Sequence, residues 1–468
     1  MVEPTLWVLV LTQALVLGAA GLVGAWAAGR IGTAPLIGAV LAGILLGPSV
    51  LGELAPDAYR FLFVGGGEQL QQIQAFEEQA REAREALVQT GVTEVAVEEH
   101  DAVVARELER MRAELEQARG PQDQTLLIVA MAGIAFVMLS ATRGVSNLGA
   151  WRPRLPTAAT IAIGSGSLAA ITAAVLVTLL AWFGWFEAPA LWIAGIAIGC
   201  AASAAPIPPL LLQKPGGRDL DAPLLQISAW CVTFVLLAVI AVLAGPMDDG
   251  GSDYLLLTAA VLAVVVIAFG VGPIVDAVTD RFIAPTSDGS RTPAALVGFA
   301  LVVTTLLGLA IVGPTLATVA LALFVVATAL RRSHNAHATL AGQSDRPAAA
   351  LFSPMLMALA GVHVHLLVDF DWLLLLAVLI AFGDGKALGA LLAGRGSNLP
   401  WSTGLKSGAA LAGGSATPIA IILLLLLTGI IDGRAYTALI LAALIAAALA
   451  LPLMRTVDAA APTLHSPQ

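Results

Sequence analysis

Long apolar stretches follow one another along nearly the whole chain, and charged residues gather between them. Each stretch has about 18 to 25 residues, the length with which an α-helix crosses the hydrocarbon core of a bilayer. Because a backbone in lipid must satisfy its own hydrogen bonds, we expect these stretches to be helices. Hydrophobic residues make up 58% of the 468 residues, far above their share in water-soluble domains. The sequence therefore predicts an all-α integral membrane protein that crosses the lipid bilayer many times.

About thirteen stretches reach this length, and clusters of glycine, proline and charged residues separate them. We predict spans near residues 5–29, 34–51, 125–142, 157–183, 189–212, 222–245, 254–279, 293–311, 314–330, 348–367, 370–394, 403–430 and 434–454. The first stretch lacks the basic start of a cleaved signal peptide and is long enough to cross the membrane, so we interpret it as a span.

The basic residues between the spans predict the orientation of the chain. Most Lys and Arg residues near span ends, including Arg143, Lys214 and Arg331, fall on one set of alternating ends. The opposite short loops hold Arg60 and Arg434. Because cytoplasmic loops are enriched in Lys and Arg, we expect a multi-pass protein of the inner (plasma) membrane, with the N-terminus outside and the C-terminus in the cytoplasm.

Residues 65–124 differ in composition from the rest of the chain. They are rich in Glu, Gln, Arg and Ala, which favour long solvent-exposed helices. Gly91 and Thr93 interrupt this pattern, Gly91 as a helix end and Thr93 as an N-cap. We therefore predict an external hairpin of two antiparallel helices. We favour a solvated helical insertion or an arm that docks a protein partner over a funnel that attracts cations, and the acidic charge permits all three.

Two predicted spans contain residues that interrupt helices near the middle of the membrane. Proline removes a backbone donor and glycine weakens a helix, so we expect each span to break. Freed backbone groups must then line protein or a watery cavity, because they cannot face lipid. A single proline kink is common, but breaks at matching places in two halves of a chain are typical of transporter sites. The interrupting residues are Pro206, Pro208 and Pro209 in the fifth span and Gly413, Gly414 and Pro418 in the twelfth.

The two breaks lie seven spans apart, and this spacing predicts two repeats joined by a linker helix. Because seven is an odd number, the second repeat is inverted relative to the first. The predicted organisation is 1–64 (spans 1 and 2), 65–124 (hairpin), 125–245 (spans 3 to 6), 246–285 (linker span 7), 286–455 (spans 8 to 13) and 456–468 (cytoplasmic tail).

Several motifs resemble the monovalent cation:proton antiporters of the bacterial sodium/proton exchanger and potassium-efflux type. The segment "RIGTAPLIGAVLAGILLGPSVLGEL" (30–54) is similar to their first long motif, and "LFSPMLMALAGVHV" (351–364) is similar to their proline-led span. The segment "GKALGALLAGR" (385–395) resembles the span with their intramembrane lysine, and "GAALAGGSATPIAI" (408–421) resembles their second broken helix. The resemblance implies thirteen spans, two crossing broken helices, a homodimer and elevator-like alternating access.

The sequence departs from that family at polar positions of the usual exchange site. Trp230 and Cys231 occupy the places of an aspartate pair in the sixth span, which has no carboxylate here. Ala204 stands in place of a threonine, and Thr142 in place of a glutamate that ends the third span. The titrating group of an exchanger would therefore have to come from another residue.

Asp384 and Lys386 are the candidates for that group, because both are ionisable residues within a predicted span. The family match places Lys386 at the crossing. On a straight helix the two side chains point about 200° apart, so either Gly383 and Gly385 deform the helix or each side chain has another partner. We expect Asp384 to be a relocated titrating group beside Lys386. The alternative is that Lys386 neutralises helix dipoles while Asp384 accepts backbone hydrogen bonds.

Three hydroxyl groups complete the candidate ion site. Ser203 precedes the prolines of the first break, and Ser415 and Thr417 lie beside the second. Each can be a ligand for a desolvated cation or a partner for freed backbone groups, and the sequence leaves both open.

We interpret the chain as a secondary transporter that exchanges a monovalent cation, sodium or potassium, for protons by alternating access. Two alternatives remain: a protein with the same scaffold that senses or docks partners without exchange, and a transporter of a different solute, for which an anion is one candidate. The sequence has no phosphate-binding loop, zinc-ligand spacing or activated nucleophile. We therefore expect no enzymatic activity, catalytic residue, metal site, cofactor or nucleic-acid partner.

Overall fold

The structure, a computed structural model, describes residues 4–65, 94–142, 153–205, 220–244, 316–332, 348–413 and 415–460, with a few helical residues between 66 and 93. Every regular element among these residues is a helix, as the backbone of a polytopic membrane protein requires. The predicted spans near 254–279 and 293–311 lie outside the described residues.

The helices that build the described fold are numbered in chain order. They are α1 (Pro4–Ile31), α2 (Pro35–Leu46), α3 (Glu94–Ala141), α4 (Leu155–Trp182), α5 (Ala190–Ala201), α6 (Ala222–Leu243), α7 (Leu316–Arg332), α8 (Ser353–Val362), α9 (Trp372–Leu379), α10 (Lys386–Gly396), α11 (Trp401–Ala412), α12 (Ala416–Leu427) and α13 (Gly433–Ala460). Short helical turns follow α2, precede α8 and join α9 to α10: Leu51–Leu54, Pro56–Tyr59 and the π-helical turns Arg60–Val64, Ala348–Phe352 and Ile380–Gly385.

Seven stretches of the described helices are long and apolar enough to cross a bilayer, or eight if α11 and α12 form one bent span. Their bounds lie close to the predicted ones. The helix α4 covers Leu155–Trp182 where the sequence predicts 157–183, and α6 covers Ala222–Leu243 where it predicts 222–245. Apolar length locates these helices because the thickness of the hydrocarbon core fixes the number of residues required. The predicted all-α membrane fold is thus confirmed, while the predicted total of about thirteen spans includes residues outside the described part of the chain.

The helix α3 runs for 48 residues and contains both the end of the predicted hairpin and the third span. Its first described residue is Glu94, and the predicted cap Thr93 lies outside the described residues. The sequence places a boundary at 124, but the helix passes this point without a break and has Gly120 and Pro121 inside it. The helix-favouring residues on both sides outweigh these two weak positions, so the arm and the third span form one helix. The first helix of the predicted hairpin lies largely outside the described residues.

Glycines allow α1, α2 and α8 to approach one another closely. Gly24 of α1 faces the backbone of Gly38 in α2, and Gly43 of α2 faces the backbone of Ala358 in α8. A Cβ atom at Gly24 or Gly43 would overlap the opposite backbone. Because lipid provides no hydrophobic driving force between helices, close packing at small residues supplies the association.

A second group of helices surrounds the predicted crossing. The helix α4 packs on α5, α6 and α10, and α11 packs on α10 and α13. Gly389 of α10 meets the backbone of Gly164 in α4, so these helices also approach through small residues. Residues 202–205, which follow α5, and Gly413, which follows α11, are buried. Both interruptions therefore lie inside this group of packed helices.

Candidate ion site at the crossing of two interrupted helices

The first interruption begins at the end of α5. The helix ends at Ala201, and Ala202 leaves the helical conformation with φ −56° and ψ 127°. Residues 202–204 have no regular structure. The chain therefore departs from the helix a few residues before the predicted helix breakers. Those breakers lie outside the described residues and are Pro206, Pro208 and Pro209.

The second interruption separates α11 from α12, which are bent by 52° relative to each other. Gly413 follows α11 with an extended backbone, φ −57° and ψ 146°. Ser415 is the N-cap of α12, and its hydroxyl accepts a hydrogen bond from Thr417 N at 3.4 Å. Pro418 lies in the first turn, where its missing N–H removes no helical hydrogen bond. The predicted breaker Gly414 lies outside the described residues.

Backbone and hydroxyl groups join the two interruptions. Ala204 N donates to Leu411 O at 2.8 Å. Thr417 Oγ1 donates to Ala205 O, and Ser415 Oγ reaches the same carbonyl at 3.5 Å. These bonds satisfy groups that have lost helical partners, as burial at membrane depth requires. The predicted crossing of two broken helices is thus present in the fold.

Lys386 is the charged side chain at this crossing. It is fully buried, and its Nζ atom donates a hydrogen bond to Ala202 O, just past the end of α5. Nζ also lies 3.4 Å from the centroid of the Phe382 ring, within the range of a cation–π contact. The C-terminal end of a helix has partial negative charge, which the ammonium compensates. Ser203, next to Ala202, is buried as well, and its hydroxyl donates to Ala201 O at 3.2 Å.

The described side chains provide no buried carboxylate to balance this ammonium. None of the Asp and Glu residues with a described side chain is buried, and Lys386 takes part in none of the ion pairs between described residues. The oxygen atoms at the crossing belong to carbonyl and hydroxyl groups. The site therefore combines neutral oxygen ligands with one positive charge.

Asp384 does not lie at the crossing, which corrects the placement expected from the sequence. It belongs to the π-helical turn Ile380–Gly385, and its side chain is exposed while Lys386 is buried. Leu376 and Leu388, two turns before and one turn after it on the same face, are also exposed. The widened turn leaves the two charged side chains in different surroundings. The role of Asp384 as a titrating group stays a hypothesis.

Trp230 and Cys231 have different surroundings although they are adjacent in α6. Trp230 Nε1 donates to Thr328 Oγ1 of α7 at 2.9 Å, and its ring stacks on Phe324 with a centroid distance of 5.9 Å. An aromatic contact between α6 and α7 therefore fills a position where the resemblance implies an aspartate. Cys231 is half-buried and lines a groove between α6 and α4. Neither side chain has an oxygen atom to offer a cation.

Comparison with solved structures shows that the fold as a whole has a known architecture. The chain is similar to the structure of the sodium proton antiporter MjNhaP1 from Methanocaldococcus jannaschii at pH 8, with a TM-score of 0.60 and 12% sequence identity. The match covers 97% of this chain and 97% of that one. This protein has the fold of a sodium proton antiporter. No protein-family model and no curated protein sequence matches the chain, so the likeness of this antiporter fold is one of structure.

The antiporter fold brings together only part of the residue set that the sequence singles out. Lys386 contacts Ala202 O, and Ser415 and Thr417 contact Ala205 O three residues further along, while the roles of these side chains in ion binding stay predictions. The carbonyl oxygens of Ala202 and Ala205 complete the arrangement. The sequence does not point to these two residues through their side chains, because alanine has no polar side-chain group.

An indirect signal for these carbonyls does exist in the sequence. A proline at position i cannot donate a helical hydrogen bond to the carbonyl of residue i−4. Pro206 and Pro209 come four residues after Ala202 and Ala205. Pro208 comes four residues after Ala204 in the same way, so the proline pattern marks three carbonyls that a continuous helix would leave without donors, and those of Ala202 and Ala205 are two of them.

Proposed function

We propose that this protein is a secondary transporter that exchanges a monovalent cation for protons, and that the crossing in its antiporter fold is the exchange site. The hydrogen bond from the Lys386 ammonium to Ala202 O is the observation on which the proposal depends. A freed carbonyl at the end of an interrupted helix thus accepts a hydrogen bond from a monovalent cationic group, and this supports its proposed role as a ligand for a monovalent cation. The same surroundings suit sodium or potassium.

The oxygen atoms near Lys386 form the proposed cation ligands. Ala202 and Ala205 offer carbonyl oxygens, and Ser415 and Thr417 offer hydroxyl oxygens. Neutral oxygens of this kind replace the hydration shell of a monovalent cation in membrane proteins. In the described conformation the ammonium takes the position of the cation, and we propose that the two occupy the site in turn.

Electrostatic repulsion couples the binding of the cation to the binding of the Lys386 proton. Two unit charges about 4 Å apart repel each other by about 4 kcal/mol at an effective dielectric constant of 20. A cation that enters therefore favours release of the Lys386 proton, and a proton that returns favours release of the cation. One group then links the two flows without a carboxylate.

Alternating access and assembly belong to the same proposal. We propose that the helices around the crossing move together relative to α1, α2 and α8, so that the site opens to one side at a time. A homodimer in the inner membrane, with the N-terminus outside and the C-terminus in the cytoplasm, is proposed from the family resemblance and from the distribution of Lys and Arg. The 65–124 arm then stands outside, where a protein partner can dock.

An anionic solute is the second candidate substrate. Its specific support is the combination of Lys386 with the N-terminus of α12, whose free N–H groups and dipole favour negative charge. Vesicles that contain a pH-sensitive dye distinguish the candidates. A sodium or potassium gradient moves protons if the cation proposal is correct, whereas only an anion gradient does so if the second candidate is correct.

The variant Lys386→Arg tests the exchange proposal in proteoliposomes. Arginine keeps the positive charge but does not release its proton in the accessible pH range, so we expect cation-driven proton flux to fall to the level of protein-free vesicles. Lys406→Arg is the matched control, because Lys406 is also buried but lies six residues before the end of α11. We expect this control to retain flux. Wild-type flux in a folded Lys386→Arg protein would refute the proposed mechanism.

A further inference from the structure

A groove with a volume of about 450 Å³ lies between α4 and α6. Gly166 and Ala170 of α4 line one wall, and Cys231 and Val232 of α6 line the other. Ala201, the last residue of α5, also contributes to the lining. The groove thus reaches from the surface of the helix group to the helix end beside the crossing.

The rim of this groove lies on the outer surface of the helices. Ile163 on one side is 68% exposed, and Val235 on the other is 54% exposed. Ser167 is part of the lining, but its hydroxyl donates to Ile163 O within its own helix. The walls consequently present apolar surface to the medium around the spans.

The groove lies at the depth of the hydrocarbon core. Gly166 and Ala170 are in the middle third of α4, and Cys231 and Leu236 are in the middle third of α6, which are both candidate spans. Water would find no polar partners there, and an empty groove would forfeit dispersion contacts along its walls. At this depth a bilayer offers acyl chains, because headgroups stay in the interfacial layers.

We propose that the groove binds an acyl chain of a membrane phospholipid. The chain fills the space that the missing side chain of Gly166 and the short side chain of Ala170 leave between the two helices. The favourable binding free energy comes from close packing of the acyl chain, as it does where small residues allow membrane helices to touch. The site is thus specific for a flexible apolar chain and not for a headgroup.

Ala201 connects this lipid site to the crossing. It precedes Ala202, whose carbonyl accepts the hydrogen bond from Lys386. A bound chain therefore supports the end of α5 from the lipid side. This effect on exchange rests on the proposed function, whereas binding of the chain does not.

Photolabelling of the full-length protein tests the site directly. The protein is reconstituted in nanodiscs that contain a small fraction of phospholipid with a diazirine near the middle of one acyl chain. After irradiation, digestion and mass spectrometry locate the labelled residues. We expect labelling of the groove residues to exceed labelling of other exposed faces several-fold, and to saturate as the fraction of photoactive lipid rises.

Variants that fill the groove sharpen this test. Gly166→Phe fills it from α4 and Cys231→Phe from α6, and each should lower groove labelling several-fold. Gly166→Ala keeps the fold, because its Cβ would lie 3.8 Å from Val232, and should lower labelling less. Val175→Phe is the matched control, because Val175 is 51% exposed on α4 but does not line the groove.

Three results would overturn the proposal. One is equal labelling of the groove and of the other exposed faces. Another is unchanged groove labelling in the filled variants that melt at the wild-type temperature. A third is cross-linking of a second protein chain across an unlabelled groove, because protein would then be the occupant. Transport activity enters none of these readouts, so failure of the lipid site and failure of the exchange proposal remain distinguishable.

Discussion

At the scale of single residues, Lys386 and Asp384 lie two positions apart in the sequence but have different surroundings. Lys386 contacts Ala202 O inside the crossing, whereas Asp384 is exposed at the midpoint of the apolar stretch Trp372–Gly396. A charge near the middle of a bilayer costs roughly 2.5 to 3.5 kcal/mol on insertion scales. No hydrogen bond or ion pair with a described residue offsets this cost for Asp384.

We expect Asp384→Asn to retain proton-coupled exchange. Asparagine keeps the shape of the side chain but cannot titrate, and the side chain that it replaces is exposed rather than buried at the crossing. Initial rates of cation-driven proton flux, measured at several pH values beside wild type, check this expectation. Loss of exchange in a folded Asp384→Asn protein would restore Asp384 to the mechanism.

Thr417→Val should weaken cation binding without abolishing exchange. Removal of one hydroxyl ligand costs about 0.5 to 1.5 kcal/mol, so the cation concentration for half-maximal flux should rise by about twofold to thirteenfold. Thr428→Val is the control on the same helix, because its hydroxyl bonds to Leu424 O and Leu425 O of its own last turn. Equal shifts in the two variants would contradict a role for Thr417 as a ligand.

At the scale of helices, the ends of the elements are easier to predict from the sequence than the direction in which their side chains point. The breaks near Ala202 and Gly413 follow from proline and glycine, because these residues change backbone hydrogen bonding directly. The exposure of Asp384 depends on a π-helical turn and on the packing of α10 against α4. The length of an apolar stretch predicts neither of these features. The helix α3 passes without a break through the boundary predicted at 124, because helix-favouring residues stand on both sides of Gly120 and Pro121.

Close helix contacts at glycine lead to a stability prediction. Gly43→Ala should destabilise the protein by about 1 to 3 kcal/mol, because the added Cβ would overlap the backbone of Ala358 and force α2 away from α8. Gly29→Ala is the control, because no atom lies within 4 Å of a Cβ at that position. It should leave the melting temperature unchanged or raise it. Thermal unfolding in detergent compares the two, and equal stability would argue against the glycine contact.

At the scale of the whole molecule, the chain shares the fold of an antiporter at 12% sequence identity. Trp230 and Cys231 stand where the resemblance to the antiporter family implies an aspartate pair. The fold could be predicted because hydropathy and helix breakers depend on the bilayer, which every membrane protein shares. The candidate site could be predicted only in part, because the carbonyl groups proposed as ligands belong to alanines. The surroundings of Trp230 could not be predicted either, since its contact with Thr328 joins two spans that are distant in the sequence.

Exchange through Lys386 should be electrically neutral. One ammonium proton leaves for each monovalent cation that enters, so the charge of the site is the same in both states. A sodium gradient should therefore drive proton flux at a rate that does not change when the membrane potential is clamped with potassium and valinomycin. A rate that rises or falls steeply with potential would require a second titrating group.

The unbroken course of α3 has a mechanical consequence. The part before its apolar stretch Gln122–Ala141 extends for roughly 40 Å at 1.5 Å per residue, and it is continuous with that stretch. Gly120 and Pro121, which weaken a helix, lie at the junction of the two parts. We therefore expect a molecule that binds the arm to displace the third span by an amount that the stiffness of this junction sets.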